Sequence, residues 1–285
     1  MTSTVLAGVD GSPQSTAAAR WAAAEAVRRG ASLRLVHAWP WLTDGVSSFA
    51  EPDALPEAVR RIMAESAEDI RGLYPDLKVE NDAVLDAPVD GLLAAAAEAD
   101  LLVLGSRGRG GFTGLLLGSV SMSVAGRSTV PLVVVRETGT PGEGAGEVVV
   151  GVDAHTPEAE VLDFAFREAA LRGARLRAVH GWDLPPVFGY AGGVVPAAEL
   201  GQLEALEAEL LSLALADLRE KHPEVEVVED VQLGAARALV EASAGAALVV
   251  VGRGRRPIEF GPRLGRIAHA VLHHAEAPVA VVPHG

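Results

Sequence analysis

The sequence contains no cysteine among its 285 residues. This absence excludes disulfide bonds, thiolate metal ligands and cysteine nucleophiles, and it favours a reducing compartment. No apolar segment approaches the roughly 20 residues of a membrane-spanning helix. The first ten residues have no basic stretch and end at Asp10, so they do not form a signal peptide. These absences predict a cytoplasmic protein with no membrane partner.

Basic residues are scarce. Lys and Arg number 24 against 38 Asp and Glu, which gives a formal net charge of −14. A nucleic-acid-binding protein concentrates positive charge on one face, and the overall field of this chain opposes such binding. We therefore predict no nucleic-acid partner, and we interpret the acidity as keeping a soluble protein dispersed.

Several motifs that carry chemistry are also missing. There is no P-loop G-x-x-x-x-G-K-S/T, and no G-x-G-x-x-G follows the first apolar run. The G-x-S-x-G elbow, the H-E-x-x-H zinc motif and the kinase motif set are absent as well. Because no base, nucleophile and orienting group come together, we predict no catalytic residues and a protein that is not an enzyme.

The histidines show no catalytic or metal-binding pattern. His37 and His180 occupy corresponding places in two predicted strands, each near a tryptophan, and we interpret both as packed structural residues. His273 and His274 lie on the last predicted helix without acidic partners. The sequence therefore predicts no metal site.

The strongest pattern is an internal duplication. The apolar run that ends at Asp10 recurs at Asp153, and the run that ends at Gly105 recurs at Gly252. The two offsets are nearly equal, which indicates duplication of a whole domain. We predict domains over 1–137 and 147–285, joined by a Gly-rich linker over 138–146. In each copy five predicted strands alternate with four predicted helices, which favours an α/β fold with parallel sheets.

A glycine-rich loop follows the fourth predicted strand and ends where a helix begins. Glycines allow a close backbone approach to an anion, and the N–H groups of the first helical turn point towards it. Arg107 and Arg109 add charge-assisted hydrogen bonds to such a phosphate site. A flexible lid without a ligand is the alternative. Asp10, at the end of the first strand, is equally suited to binding a ligand and to capping the next turn.

The motifs Gly8-Val-Asp10, Val36-His-Ala-Trp39 and Gly105-x2-Gly108-x9-Gly118-Ser119 together resemble the universal stress protein family in its tandem two-domain form. The resemblance covers nearly the whole chain. It implies two doubly wound, parallel, five-stranded sheets of flavodoxin/Rossmann type with a flavodoxin-like strand order, and ATP at the switch point. The residues that it implies around the nucleotide are Gly8, Asp10, Ala38, Gly105, Arg107, Gly108, Arg109, Gly118, Ser119, Val120 and Ser121.

The resemblance also implies a function. Members act as stress-response regulators whose nucleotide state serves as a signal to a protein partner, unknown here. They pair through their last strands, which implies a homodimer or a pseudo-dimer within the tandem chain, and Mg²⁺ is a possible companion of the ATP. A slow ATPase or nucleotide-transferring enzyme on the same scaffold, and an interaction scaffold without nucleotide, are the alternatives.

The second copy departs from the motif. Aligned without gaps, it has Arg255 at the position of Gly108 and Arg266 at that of Ser119. Long side chains where the backbone should contact phosphate predict that this copy has lost standard ATP binding. The alternative is that its arginines bind another anion. Irregular segments, Trp39 to Pro56 and Asp183 to Pro196, are candidate lids.

Overall fold

The computed structural model describes residues 3–39, 56–108, 116–137, 146–183, 197–254 and 264–285. The chain forms two compact units, Met1–Pro141 and Gly142–Gly285, called the first and second domain below. Several sequence predictions lie outside the described residues. These are Arg109, Arg255, most of the predicted linker and most of both candidate lids.

The first domain alternates strands and helices along the chain. Its elements are β1 (Thr4–Gly8), α1 (Pro13–Arg29), β2 (Ser32–Trp39), α2 (Glu57–Leu73), β3 (Val79–Leu85), α3 (Pro88–Ala96), β4 (Leu101–Gly105), α4 (Ser119–Arg127) and β5 (Leu132–Val135). The strands form a parallel sheet in the order β3-β2-β1-β4-β5. Every residue of β4 is buried, because a central parallel strand is covered by helices on both faces.

The second domain repeats this arrangement. Its elements are β6 (Val148–Val152), α5 (Ala159–Arg172), β7 (Leu176–Trp182), α6 (Ala197–Lys221), β8 (Val227–Leu233), α7 (Ala235–Ala242), β9 (Leu248–Gly254), α8 (Arg266–His274) and β10 (Val279–His284). Its parallel strands follow the order β8-β7-β6-β9-β10. The described part of the chain thus contains both predicted copies of the sheet.

Local sequence explains where the first helix begins and ends. Ser12 caps α1, because its side chain accepts a hydrogen bond from the Ser15 N–H at 3.2 Å. Pro13 opens the helix without losing a needed donor. Gly30 ends it with φ of 61°, a left-handed conformation that favours glycine. These signals account for the observed bounds of α1, Pro13 to Arg29.

The strand order determines where a ligand site can lie. In the first domain α1 and α2 contact each other, and so do α3 and α4, as expected when right-handed crossovers place each pair on its own face of the sheet. The crossover direction reverses between β1 and β4, which lie side by side. The expected flavodoxin-like order, 2-1-3-4-5, is therefore wrong: the order 3-2-1-4-5 is of the Rossmann type. Sequence periodicity identifies strands but does not specify their neighbours.

The helices cover the sheets with their apolar residues. In α1, for example, Trp21 and most of the alanines are buried. None of the described helices is both long and apolar enough to cross a membrane.

Candidate functional site

A cavity of about 620 Å³ opens at the carboxyl edge of the first sheet, beside the switch point. It is lined by the ends of β1, β2 and β4 and by the first turn of α4. Ten of the eleven residues predicted around the nucleotide line it, and Arg109 lies outside the described residues. The ten are Gly8, Asp10, Ala38, Gly105, Arg107, Gly108, Gly118, Ser119, Val120 and Ser121.

Asp10 both shapes the turn after β1 and lines the cavity. Its Oδ1 accepts hydrogen bonds from the Ser12 N–H at 2.9 Å and from the Ser12 hydroxyl at 2.5 Å. The Asp10 N–H donates to the Ser15 hydroxyl at 3.2 Å. The turn and ligand interpretations of Asp10 are therefore compatible, because the hydrogen bonds orient the carboxylate at the cavity edge.

Two glycines of the motif are required by close approaches within the protein. A Cβ added to Gly108 would lie 2.4 Å from Asp10 Oδ2. One added to Gly105 would lie 2.7 Å from the carbonyl carbon and oxygen of Gln14. Distances this short force neighbouring atoms to move. At Gly108 the atom that would move is the end of the Asp10 side chain, whereas at Gly105 it belongs to the backbone of α1, which cannot shift easily. Gly105 thus serves the packing of α1 on β4.

The first turn of α4 forms a different wall of the cavity. Its N-cap is Gly118, which has no side chain to cap the helix. The Gly118 N–H donates to the Ser106 carbonyl at 2.7 Å, and the buried Ser121 hydroxyl donates to the Gly105 carbonyl at 2.7 Å. These bonds hold the helix against β4, so Ser121 contributes its backbone rather than its hydroxyl to the cavity. Uncapped N–H groups and the helix dipole favour an anion there.

Positive charge is concentrated near this helix end. Arg107 lines the cavity, and the partly buried Arg136 follows β5 nearby. Burial, and then the charge of Arg107, lower the pKa of the Arg136 guanidinium from its ordinary value. A negative ligand between α4 and these arginines would relieve the repulsion. Sequence reasoning missed Arg136 because it lies far along the chain from Arg107, beyond the glycine motif.

Another wall of the cavity is apolar. It is formed by side chains of α2 and α3, among them Val59, Ile62 and Leu92. His37 lines the cavity between the walls, and its Nδ1 lies 2.6 Å from the Val9 carbonyl oxygen, which fits the structural role predicted for it. The cavity therefore combines apolar side chains with a helix end that favours an anion.

The second domain has a cavity of about 430 Å³ at the corresponding edge. Asp153 shapes the turn as Asp10 does: its Oδ1 accepts from the His155 N–H at 3.1 Å, and its Oδ2 accepts from the Thr156 hydroxyl at 2.9 Å. Arg266 is exposed and is not among the described residues that line this cavity. The first turn of α8 presents Ile267 and Ala268 to the cavity instead, and the loss of ATP binding expected from Arg266 stays a prediction.

The two cavities differ in residues that the comparison of glycine motifs overlooks. Glu158 stands at the position of Ser15, by the same offset that relates the two aspartates. Glu207 and Val59 occupy corresponding positions, because Glu207 lies as many residues before the start of β8 as Val59 lies before the start of β3. All four side chains line their cavities, so two carboxylates replace a serine and an apolar wall residue. The second cavity also gains His155, at the position of Ser12.

Comparison with known proteins places both domains in one family. The model of the universal stress protein family matches residues 1–136 and 145–283. A universal stress protein of Mycobacterium tuberculosis (strain ATCC 25618 / H37Rv) is 36% identical over 295 residues, covering 97% of this chain and 96% of that protein. A second protein of that name from the same strain is 30% identical over 298 residues, covering 97% of this chain and 94% of its own.

A solved structure agrees at the level of the fold. The crystal structure of a universal stress protein from Archaeoglobus fulgidus DSM 4304 is 17% identical and has a TM-score of 0.60, covering 99% of this chain and 98% of that chain. The family model accounts for both domains, and the relatives are matched over nearly their full length. This chain belongs to the universal stress protein family.

Proposed function

We propose that the first domain binds ATP in the 620 Å³ cavity and that the protein acts as a nucleotide-dependent regulator of the stress response. The observation that carries the proposal is the polarity of the cavity. Apolar side chains of α2 and α3 line it together with the uncapped helix end at Gly118 and the positive charge of Arg107, and Arg136 lies near Arg107. A nucleotide has the matching division into base and phosphates, and cavities of this size hold small-molecule ligands.

Each part of ATP has a matching set of residues. The adenine ring would lie against Val59 and Ile62, and the ribose near Asp10. The phosphates would receive hydrogen bonds from the N–H groups that follow Gly118, with charge from Arg107. Arg109, on the same loop, would add to this charge.

The cavity suits retention of the nucleotide better than its hydrolysis. Among the described residues that line it, Asp10 is the one carboxylate, and its Oδ1 already accepts two hydrogen bonds from Ser12. His37 Nδ1 is engaged with a backbone carbonyl. Any Mg²⁺ would therefore be held chiefly by the phosphates. A protein partner, or a second copy of this chain, would then distinguish the nucleotide-bound form from the empty form.

We propose that the second domain does not bind ATP in this way. Glu207 takes the place of Val59 in the wall that would receive the adenine, and a carboxylate there is costly to desolvate against a base. His155 and Glu158 change the opposite edge as well. The expected stoichiometry is one ATP per chain.

Calorimetric titration of the full chain with ATP tests this proposal. We expect one equivalent per chain, with Arg255→Gly leaving the count unchanged. Two equivalents would contradict the assignment of the second domain, and no binding would overturn the proposal. Small molecules released from the freshly purified protein should include an adenine nucleotide. Incubation with ATP and Mg²⁺ separates the alternatives, since multiple turnovers to ADP or a transferred group would indicate an enzyme.

A further inference from the structure

Three potential metal ligands converge in the cavity of the second domain. His180 Nε2 and His155 Nε2 lie 2.9 Å and 3.0 Å from the same oxygen, Oε2 of Glu207. The donor atoms of all three side chains lie within 4.8 Å of one another. They come from β7, from the turn after β6 and from α6. Because they lie on separate elements, no short sequence motif predicts the cluster.

The hydrogen bonds of His180 leave its Nε2 available to a metal ion. Its Nδ1 lies 3.0 Å from the Val152 carbonyl oxygen, which cannot donate, so Nδ1 carries the proton. The Ala154 N–H is farther from Nδ1, at 3.4 Å, and does not compete. A neutral ring then directs its unprotonated Nε2 at the Glu207 carboxylate, and two acceptors face each other. His155 Nε2 approaches the same oxygen, so one metal ion placed between the three donor atoms would contact all of them.

This arrangement resembles a prepared metal site. His180 is only 2% exposed and its ring is fixed by the Val152 carbonyl, the type of outer contact that orients metal-binding histidines. Glu207 is 16% exposed and His155 is 58% exposed, so the site is open on the side of His155. Zinc with ligands at about 2.1 Å in a tetrahedron requires donors roughly 3.4 Å apart. The two distances from the histidine nitrogens to Glu207 Oε2 are a few tenths of an ångström shorter than this.

Among the described residues, only the second domain brings these three metal-binding side chains together. Ser12, His37 and Val59 stand at the corresponding positions of the first domain, and they provide one imidazole and no carboxylate. Nearby in the second cavity, His284 Nδ1 is already paired with Glu158 at 2.9 Å. The cluster of three is therefore a feature of the cavity in which Glu207 replaces the apolar wall.

We propose that the second domain binds one divalent transition-metal ion of the zinc type through His155 Nε2, His180 Nε2 and the Glu207 carboxylate. Two imidazoles and a carboxylate are a donor set that zinc accepts, and three protein ligands leave a fourth position for water or a small ligand. That position faces the cavity of about 430 Å³, which all three residues line. The domain that lacks the features for ATP would thus hold a different ligand.

Titration of the chelator-treated, full-length protein tests the proposal. Zn²⁺ is followed by calorimetry, and Co²⁺ by the visible absorption of a four-coordinate ion. We expect one ion per chain and a higher unfolding temperature with metal present. Glu207→Gln keeps the side-chain shape and His155→Gln changes an exposed residue, so both should fold. Each should weaken Zn²⁺ binding at least about 100-fold.

His269→Gln is the matched control. His269 and His273 stack on α8 with ring centroids 4.4 Å apart, and this pair is the competing place for a metal ion. The proposal is overturned if the parent protein binds no Zn²⁺, if binding survives both ligand substitutions, or if His269→Gln removes it. ATP binding by the first domain is measured in the same variants and should not change, so the two proposals fail separately.

Discussion

Gly118→Ala is the sharpest test of the phosphate end of the first cavity. Gly118 has φ of −77° and ψ of 154°, a conformation open to any residue. The added Cβ would lie 3.4 Å from Arg107 Cα and 3.5 Å from the Ser106 carbonyl oxygen, which are ordinary contacts. Alanine is a slightly poorer N-cap than glycine, which lowers the stability of the fold. It also restricts the unfolded chain, which raises the stability by about as much, so the free energy of unfolding should change by less than about 0.5 kcal/mol.

The expected effect on ATP is much larger. The new methyl group would occupy space between the helix end and the loop after β4, where the phosphates must approach the backbone. Losing one hydrogen bond from an N–H group to a charged phosphate costs about 2–3 kcal/mol, which corresponds to roughly 30- to 150-fold weaker binding. Calorimetry measures the affinity, and thermal unfolding shows that the fold is retained.

The second domain supplies a matched control in Gly265→Ala. Gly265 is the N-cap of α8, with φ of −63° and ψ of 160°, and a Cβ there meets no atom within 4 Å. This variant should bind ATP as the parent does. Unchanged ATP affinity in Gly118→Ala would refute the placement of the phosphates at α4. An equal loss of ATP affinity in both variants would show that ATP binding does not depend specifically on the site in the first domain.

Substitutions at three further positions test the surrounding structure. Asp10→Ala removes two hydrogen bonds from Ser12 and should destabilise the first domain by about 1–3 kcal/mol in urea denaturation, whereas Asp10→Asn keeps an acceptor and should mainly weaken ATP binding. Gly181→Ala places a Cβ 2.1 Å from the Ala235 Cα and should destabilise the second domain by at least about 2 kcal/mol, with a parent-like unfolding curve as the contrary result. Glu25→Gln weakens the buried pairing of Glu25 with two arginines of α1, at 2.5 and 2.7 Å, and should lower the unfolding free energy by about 2–3 kcal/mol; a drop in ATP stoichiometry in the folded variant would be unexpected.

Local signals in the sequence were sufficient for the elements and for the duplication. The helix α2 extends from Glu57 to Leu73, and its apolar residues recur at the spacing that predicts a helix. Buried parallel strands such as Leu101–Gly105 are continuous apolar runs and are recognisable for that reason. Ten predicted site residues line one cavity because each lies near the end of a strand, in the segment that follows it, or at the start of a helix at the same sheet edge.

The sequence by itself therefore determined two α/β domains, their elements and the residues at the edge of each sheet, since these depend on local periodicity and on glycine. Only the tertiary structure decided the strand order, the double role of Asp10 and the position of Arg136 beside Arg107. It also brought Glu207 to His155 and His180, which lie on other elements and far from it along the chain. Such contacts depend on how the helices pack across the sheet, and no short-range pattern in the sequence predicts that packing.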